Sequence, residues 1–171
     1  SSLMSLNGLA TSEWGLNSLH NLLLTGSTGK TGTAIRQEVR ALADKYKILA
    51  ACGRTYIEAS DQKLVDTAVT PENLAKLLGN CDAVIDFSSP KFQPLLKDSY
   101  HRSSEPRPIL IGTTGLEQSD QDWWIKQSSA LGFPCLIAPN TSLAILIFRK
   151  ILKQYTPVLE AGGYDIAIRE T

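Results

Sequence analysis

Gly26-Ser27-Thr28-Gly29-Lys30-Thr31-Gly32 sets three glycines at every third residue. The apolar run Leu22-Leu23-Leu24 precedes them, and a helix-compatible run over 33–39 follows. A strand, a glycine turn and a helix N-terminus in that order can hold an anion. Glycine lets the backbone turn tightly and approach a phosphate, and the N–H groups of the first helical turn point at the charge. Two nucleotide folds compete for the loop. Gly29-Lys30-Thr31 reads as the end of a Walker A motif, which also needs a glycine five residues before its GK glycine. Leu24 stands there, inside the apolar run. The dinucleotide fingerprint is G-x-G-x-x-G, and the chain carries the variant G-x-x-G-x-x-G. A P-loop NTPase and an ordinary strand-to-helix turn are the readings that compete with a dinucleotide loop.

Other residues add to the choice. In a dinucleotide fold the second strand normally ends in an acidic residue that binds the ribose 2′-OH. Here that place reads Cys52-Gly53-Arg54. No carboxylate repels a 2′-phosphate, and the planar guanidinium of Arg54 could bind one, with Lys30 nearby. This favours NADP over NAD, the alternative being an ordinary solvated loop arginine. Asp86 closes an apolar run, as a catalytic carboxylate, a Walker B aspartate or an acceptor that fixes its own loop would. His20 and His101 read as incidental. Cys52, Cys81 and Cys135 are odd in number and lack paired spacing, which argues against a disulfide framework or a metal site. They read as reduced thiols in or near a core, in a cytoplasmic setting.

These loops need elements to position them. Strands are expected over 22–24, 47–52, 83–87, 109–111, 133–138 and 164–168. Helices are expected over 31–46, 71–78, 94–101, 119–131 and 142–155. The first helix sets Ile35, Val39 and Leu42 on one face. Thr70 caps the second with Pro71 at its first position, Gly79-Asn80 stops it, and Ser119 caps the fourth. Alternating apolar strands and helices call for an α/β fold, a Rossmann-like doubly wound parallel sheet covered on both faces. Its pocket loops lie at the carboxyl ends of the strands, at 26–32, 53–54, 87–90, 112–115 and 139–142.

The 171 residues suffice for one domain, and 17 Lys+Arg balance 17 Asp+Glu. Zero net charge offers no nucleic-acid footprint, and no apolar run approaches the roughly 20 residues of a membrane span. Residues 1–21 carry no Lys or Arg and read as an N-terminal extension rather than a secretory signal. Residues 22–160 form the dinucleotide-binding domain.

Four blocks occur in order: the glycine loop, Ala83-Val84-Ile85-Asp86-Phe87-Ser88-Ser89-Pro90, Ile111-Gly112-Thr113-Thr114-Gly115-Leu116, and Ala138-Pro139-Asn140-Thr141-Ser142-Leu143. The set resembles 4-hydroxy-tetrahydrodipicolinate (dihydrodipicolinate) reductase of diaminopimelate and lysine biosynthesis. The likeness runs from about residue 22 to 171. It implies that Gly26, Ser27, Thr28, Gly29, Lys30 and Thr31 bind the pyrophosphate of NADPH, with NADH possible. Gly53 and Arg54 would take the adenosine ribose and a 2′-phosphate. Gly112, Thr113 and Thr114 would meet the nicotinamide half, with Thr114 also reaching a carboxylate of the dicarboxylate substrate. Ala138, Pro139, Asn140 and Thr141 would line the nicotinamide side. In this reading Asp86 fixes its loop.

The chain also departs from the family. Thr31, Thr141 and Ala144 stand where the family usually has Met, an aromatic residue and Gly. Family members follow the last strand with a histidine pair, a lysine and a substrate and tetramerisation domain. This chain reads Ile168-Arg169-Glu170-Thr171 and stops, so 161–171 would begin that domain and no catalytic residue is expected before its end. The expectation is a cofactor-binding fragment of a homotetrameric reductase, inactive alone and exposing apolar surface. A non-catalytic nucleotide-binding or regulatory module is the alternative.

Overall fold

The structure is a computed structural model that describes residues 19–54, 56–59 and 67–139, together with 157 and 161–163. The extension, the strand expected at 164–168 and the helix expected at 142–155 lie outside the described residues.

Among the described residues a seven-stranded sheet runs in the order β4-β3-β2-β1-β5-β6-β7. Its strands are β1 (His20–Thr25), β2 (Tyr46–Cys52), β3 (Tyr56–Ala59), β4 (Thr67–Ala68), β5 (Ala83–Asp86), β6 (Ile109–Ile111) and β7 (Cys135–Ile137). β2, β1, β5, β6 and β7 are parallel. The helices are α1 (Lys30–Ala41), α2 (Pro71–Leu78), α3 (Gln93–Arg102, entered through a 3-10 turn over Pro90–Phe92) and α4 (Gln118–Leu131). This is a Rossmann-like α/β fold. β2 and β5 flank β1 on opposite sides, so the strand order reverses at β1 and opens a crevice there.

One sheet face carries Ala50, Leu23, Val84 and Ile109, with Ile111 beside them. These residues pack against Leu74, Leu77 and Leu78 of α2, Leu96 and Tyr100 of α3, and Trp124 of α4. α1 contacts β2 and adds nothing to that cluster. On the other face Leu24, Ile85, Leu110 and Leu136 form one row across the sheet. Leu24 is sealed at 0% exposure, whereas Leu136 is 61% exposed.

The structure corrects several boundaries. The sheet is mixed, because β3 is antiparallel to β2 and β4 to β3. α1 ends at Ala41, not near 46, because Tyr46 has left it to pair with His20 at the start of β2. A turn closed by Lys45 N–H on the Leu42 carbonyl makes the reversal, and Leu42 is left exposed. α4 begins at Gln118, so Ser119 is not its cap; Glu117 holds that position without a side-chain bond. α3 starts a residue early at Gln93, and β5 and β7 are shorter than expected. α2 matches its expected span, with Thr70 Oγ1 accepting from Asn73 N–H at 3.2 Å.

All three cysteines are free thiols. Burial pushes Cys52 and Cys81 up to about 12, from an ordinary value of 9.0. Asp86 adds to the rise at Cys52. Above pH 9 the unfolded chain releases these protons and the folded chain keeps them, so alkali favours unfolding. Their contribution to stability is expected to be intact below pH 9 and to fall away as pH rises toward 12. Urea midpoints across that range test it: Cys52→Ala/Cys81→Ala should lose stability less steeply than the parent. An equal slope in both proteins would remove the thiols from the account.

Candidate functional site

The parallel strands end in register. Cys52, Thr25, Asp86, Ile111 and Ile137 form one row across the sheet, so five loops leave from one edge. The ladder continues one step past that row. Phe87 N–H donates to the Thr25 carbonyl, Gly112 N–H to that of Asp86, and Ala138 N–H to that of Ile111. The loops are thereby held side by side at the carboxyl end, where α/β sheets bind ligands.

The 26–32 loop is shaped by two close approaches. Gly26 has φ +73, and a Cβ there would strike the Phe87 carbonyl. Gly32 lies under the loop, where a Cβ would strike the Gly26 carbonyl. Thr33 N–H is the first to close on a helix carbonyl, that of Gly29, at 2.9 Å. The N–H groups of Lys30, Thr31 and Gly32 therefore lack an intrahelical acceptor. They carry the positive end of the helix dipole, the usual backbone site for a phosphate.

A cleft of about 670 Å³ opens at the reversal point between β1 and β5. Gly26, Thr28, Gly29, Gly53, Arg54, Phe87, Ser88, Ser89, Lys91 and Phe92 line it. Two of these side chains are cationic and none is acidic. Ser88 Oγ is the one buried side-chain polar atom among the described residues without a hydrogen-bond partner. Of the residues singled out in the sequence, Gly26, Thr28, Gly29, Gly53 and Arg54 thus share the cleft. Lys30, Thr31 and Thr114 are solvent-exposed and are not among the residues that line it. Gly112 lets the Phe87 ring lie against its backbone, where a Cβ would collide. Ala138 and Pro139 follow β7. Asn140 and Thr141 lie outside the described residues.

Two hydroxyl residues of the expected site are buried. Ser27 is 3% exposed, and its N–H donates to the Cys52 carbonyl at 3.1 Å. Thr113 is 2% exposed and its hydroxyl donates to Asp86, so only its backbone remains for a ligand.

Asp86 is a structural hub rather than a catalytic carboxylate open to substrate. It is 0% exposed. Oδ1 accepts from Thr25 Oγ1 at 2.5 Å and Ser88 N–H at 3.2 Å. Oδ2 accepts from Gln93 Nε2 at 3.0 Å and Thr113 Oγ1 at 2.7 Å. Four donors around one buried carboxylate satisfy both of its oxygens. The loop-fixing Ser88 N–H bond was legible in the sequence; the three side-chain donors were not. Of the cleft, sequence reasoning singled out neither Lys91 nor Phe92. The available signal was the 87–90 loop, which follows a buried strand ending in aspartate.

A family model described as "Dihydrodipicolinate reductase, N-terminus" matches residues 20–141. The chain belongs to the dihydrodipicolinate reductase family. The match takes in all five parallel strands and the loops that follow them. Among curated relatives, the 4-hydroxy-tetrahydrodipicolinate reductase of Campylobacter lari is 30% identical over 151 residues, covering 88% of this chain and 52% of the relative. That of Campylobacter fetus is 36% identical over 151 residues, covering 85% and 53%. That of Aliarcobacter butzleri is 29% identical over 149 residues, covering 86% and 54%. The chain therefore spans about half the length of the reductases it matches. The five-loop edge lies wholly inside the part of the dihydrodipicolinate reductase family that this chain represents. Among the described residues no helix is long and apolar enough to cross a membrane.

Proposed function

We propose that this chain is the NADPH-binding part of a 4-hydroxy-tetrahydrodipicolinate reductase. The observation that carries the reading is the cleft at the β1/β5 reversal, with a glycine cradle, two cations and no acid along its wall. The unpartnered Ser88 Oγ fits a site completed by a polar ligand. The N–H groups of Lys30, Thr31 and Gly32 would hold the pyrophosphate, with Gly26, Thr28 and Gly29 giving close approach. Gly53 and Arg54 would take the adenosine ribose and its 2′-phosphate. Gly112, Thr113 (through its backbone), Thr114, Ala138, Pro139, Asn140 and Thr141 would form the nicotinamide side. When bound, the cofactor supplies the hydride. Transfer to a cyclic dicarboxylate in diaminopimelate and lysine synthesis, and assembly as a homotetramer, are proposed for a protein carrying both halves of the relatives' length.

A titration of the chain with NADPH, followed by nicotinamide fluorescence, tests the cofactor. Saturable binding is expected, and none at millimolar NADPH would reject the assignment. Arg54→Ala should weaken NADPH about tenfold or more, the scale of a lost charge-assisted hydrogen bond, and leave NADH within about twofold. Equal losses for both nucleotides would take the 2′-phosphate away from Arg54.

A further inference from the structure

Gln93 is a buried amide that has entered so far only as one of the four donors to Asp86. It sits at the start of α3 with 0% exposure, and Asp86 and Trp124 are equally buried. Its Nε2 donates to Asp86 Oδ2 at 3.0 Å, and its Oε1 accepts from Trp124 Nε1 at 2.8 Å. The two ends of a side-chain amide have nearly the same shape. A flipped Gln93 would fit the same space but would aim its carbonyl at the carboxylate. The indole N–H is a donor only, so it pairs with Oε1 and excludes the flip. The indole itself is clamped. Tyr100 and Trp123 meet it edge-on at 5.0 and 4.9 Å between ring centres, and Phe133 at 6.5 Å.

We propose that Gln93 and Trp124 are positioning residues for the cofactor cleft, acting through Asp86 on the Ser88 and Thr113 loops. The connection is continuous. Trp124 orients Gln93, Gln93 anchors Asp86 Oδ2, and the same carboxylate holds Ser88 N–H and the Thr113 hydroxyl. Ser88 lines the cleft, and Thr113 sits in the loop after β6. Gly53 and Arg54 follow β2 and, among the described residues, no hydrogen bond joins them to Asp86, Gln93 or Trp124, so the two sides of the cleft respond differently to its loss. Only the nucleotide arm of the test rests on the proposed NADPH site.

Amide hydrogen exchange on Gln93→Leu, Trp124→Phe and the double variant reads the relay without any nucleotide. Each single variant should speed exchange at Ser88 N–H about tenfold, as expected when a buried acceptor loses its orientation. Ala51 N–H in β2 should keep its protection. The double variant should match Gln93→Leu alone, because Trp124 acts only by orienting Gln93. Packing losses without orientation would instead add. In the nucleotide arm, both variants should weaken NADPH about tenfold and leave adenosine 2′,5′-bisphosphate within about twofold. Unchanged Ser88 exchange in both single variants, or additive effects in the double, overturns the proposal. If the parent chain binds no NADPH, the cofactor reading falls and exchange still decides the relay. If Gln93→Leu does not fold, Trp124→Phe decides together with Phe133→Leu, which trims the same aromatic cluster but leaves the Trp124–Gln93 bond in place: Ser88 exchange should rise in the first and not in the second, and an equal rise in both overturns the relay.

Discussion

Gly32→Ala should destabilise the domain by about 3 kcal/mol, although it replaces glycine with the best helix former inside a helix. Propensity alone argues the opposite sign, favouring alanine by about 1 kcal/mol. The backbone decides against it. A Cβ on Gly32 would overlap the Gly26 carbonyl oxygen and stand 2.8 Å from Ser27 Cα. Both obstacles are main chain, so no rotamer change relieves them. α1 must withdraw or the loop must open. Gly26 cannot give way easily, since its own φ of +73 and its contact with Phe87 fix it from the other side. Strain from forced overpacking costs about 1–3 kcal/mol at one contact, and two backbone contacts at once put this change at the upper end. Gly29→Ala is the matched control. Its added Cβ meets only the Gly26 carbonyl, at 3.4 Å, and its φ of −75 suits any residue. It should stay within about 1 kcal/mol of the parent. Urea unfolding of the three proteins reads both numbers. A Gly32→Ala protein as stable as the parent would contradict the close approach of α1 to the loop.

That asymmetry explains how the sequence could be read at this loop. Gly26 and Gly32 are glycines because the backbone leaves no room for anything larger, so residue type reports geometry directly. The parallel strands were legible for a similar reason. Leu22, Leu23 and Leu24, or Ile109, Leu110 and Ile111, are apolar on both faces, as a covered parallel sheet demands. Thr70 with Pro71 marked a helix start that the structure reproduces. β3 was not legible. Its inward residue, Ile57, is 1% exposed and stands between exposed Tyr56 and Glu58, too little apolar weight to mark a strand. The end of α1 was lost because Leu42 continues the helical spacing of Ile35 and Val39 while the chain has already turned toward β2. Among the site residues, a serine or threonine announces a hydroxyl but not its partner: Thr113 gives its hydroxyl to Asp86, 27 residues away, which no local spacing reveals. The Gln93–Trp124 bond joins residues 31 apart on two helices, a pairing with no local spacing to betray it.

Asp86→Ala is expected to cost about 3–5 kcal/mol, the range for stripping the acceptor from a buried, hydrogen-bonded charge site. The cost lies in what is left behind. Thr25 Oγ1, Ser88 N–H, Gln93 Nε2 and Thr113 Oγ1 all lose their acceptor at once in a site closed to solvent. Each buried donor left unpaired costs about 1–3 kcal/mol, and the methyl side chain also opens a cavity that partly offsets this by admitting water. Asp86→Asn separates the charge from the shape. One end of the new amide still accepts two donors, while its NH₂ end faces two more donors and meets them badly. Its expected cost is about 2–3 kcal/mol, below that of alanine but well above that of an exposed Asp→Asn change. The discriminating measurement is stability in the absence of any nucleotide. An aspartate serving as an exposed acid would tolerate amidation with its unfolding midpoint unchanged. The hub predicts a lowered midpoint for both variants and faster exchange at Ser88 N–H, because Thr25 at the end of β1, Ser88 after β5 and Thr113 after β6 are joined through this one carboxylate. Removing it loosens the edge from which the cleft is built, before any ligand enters.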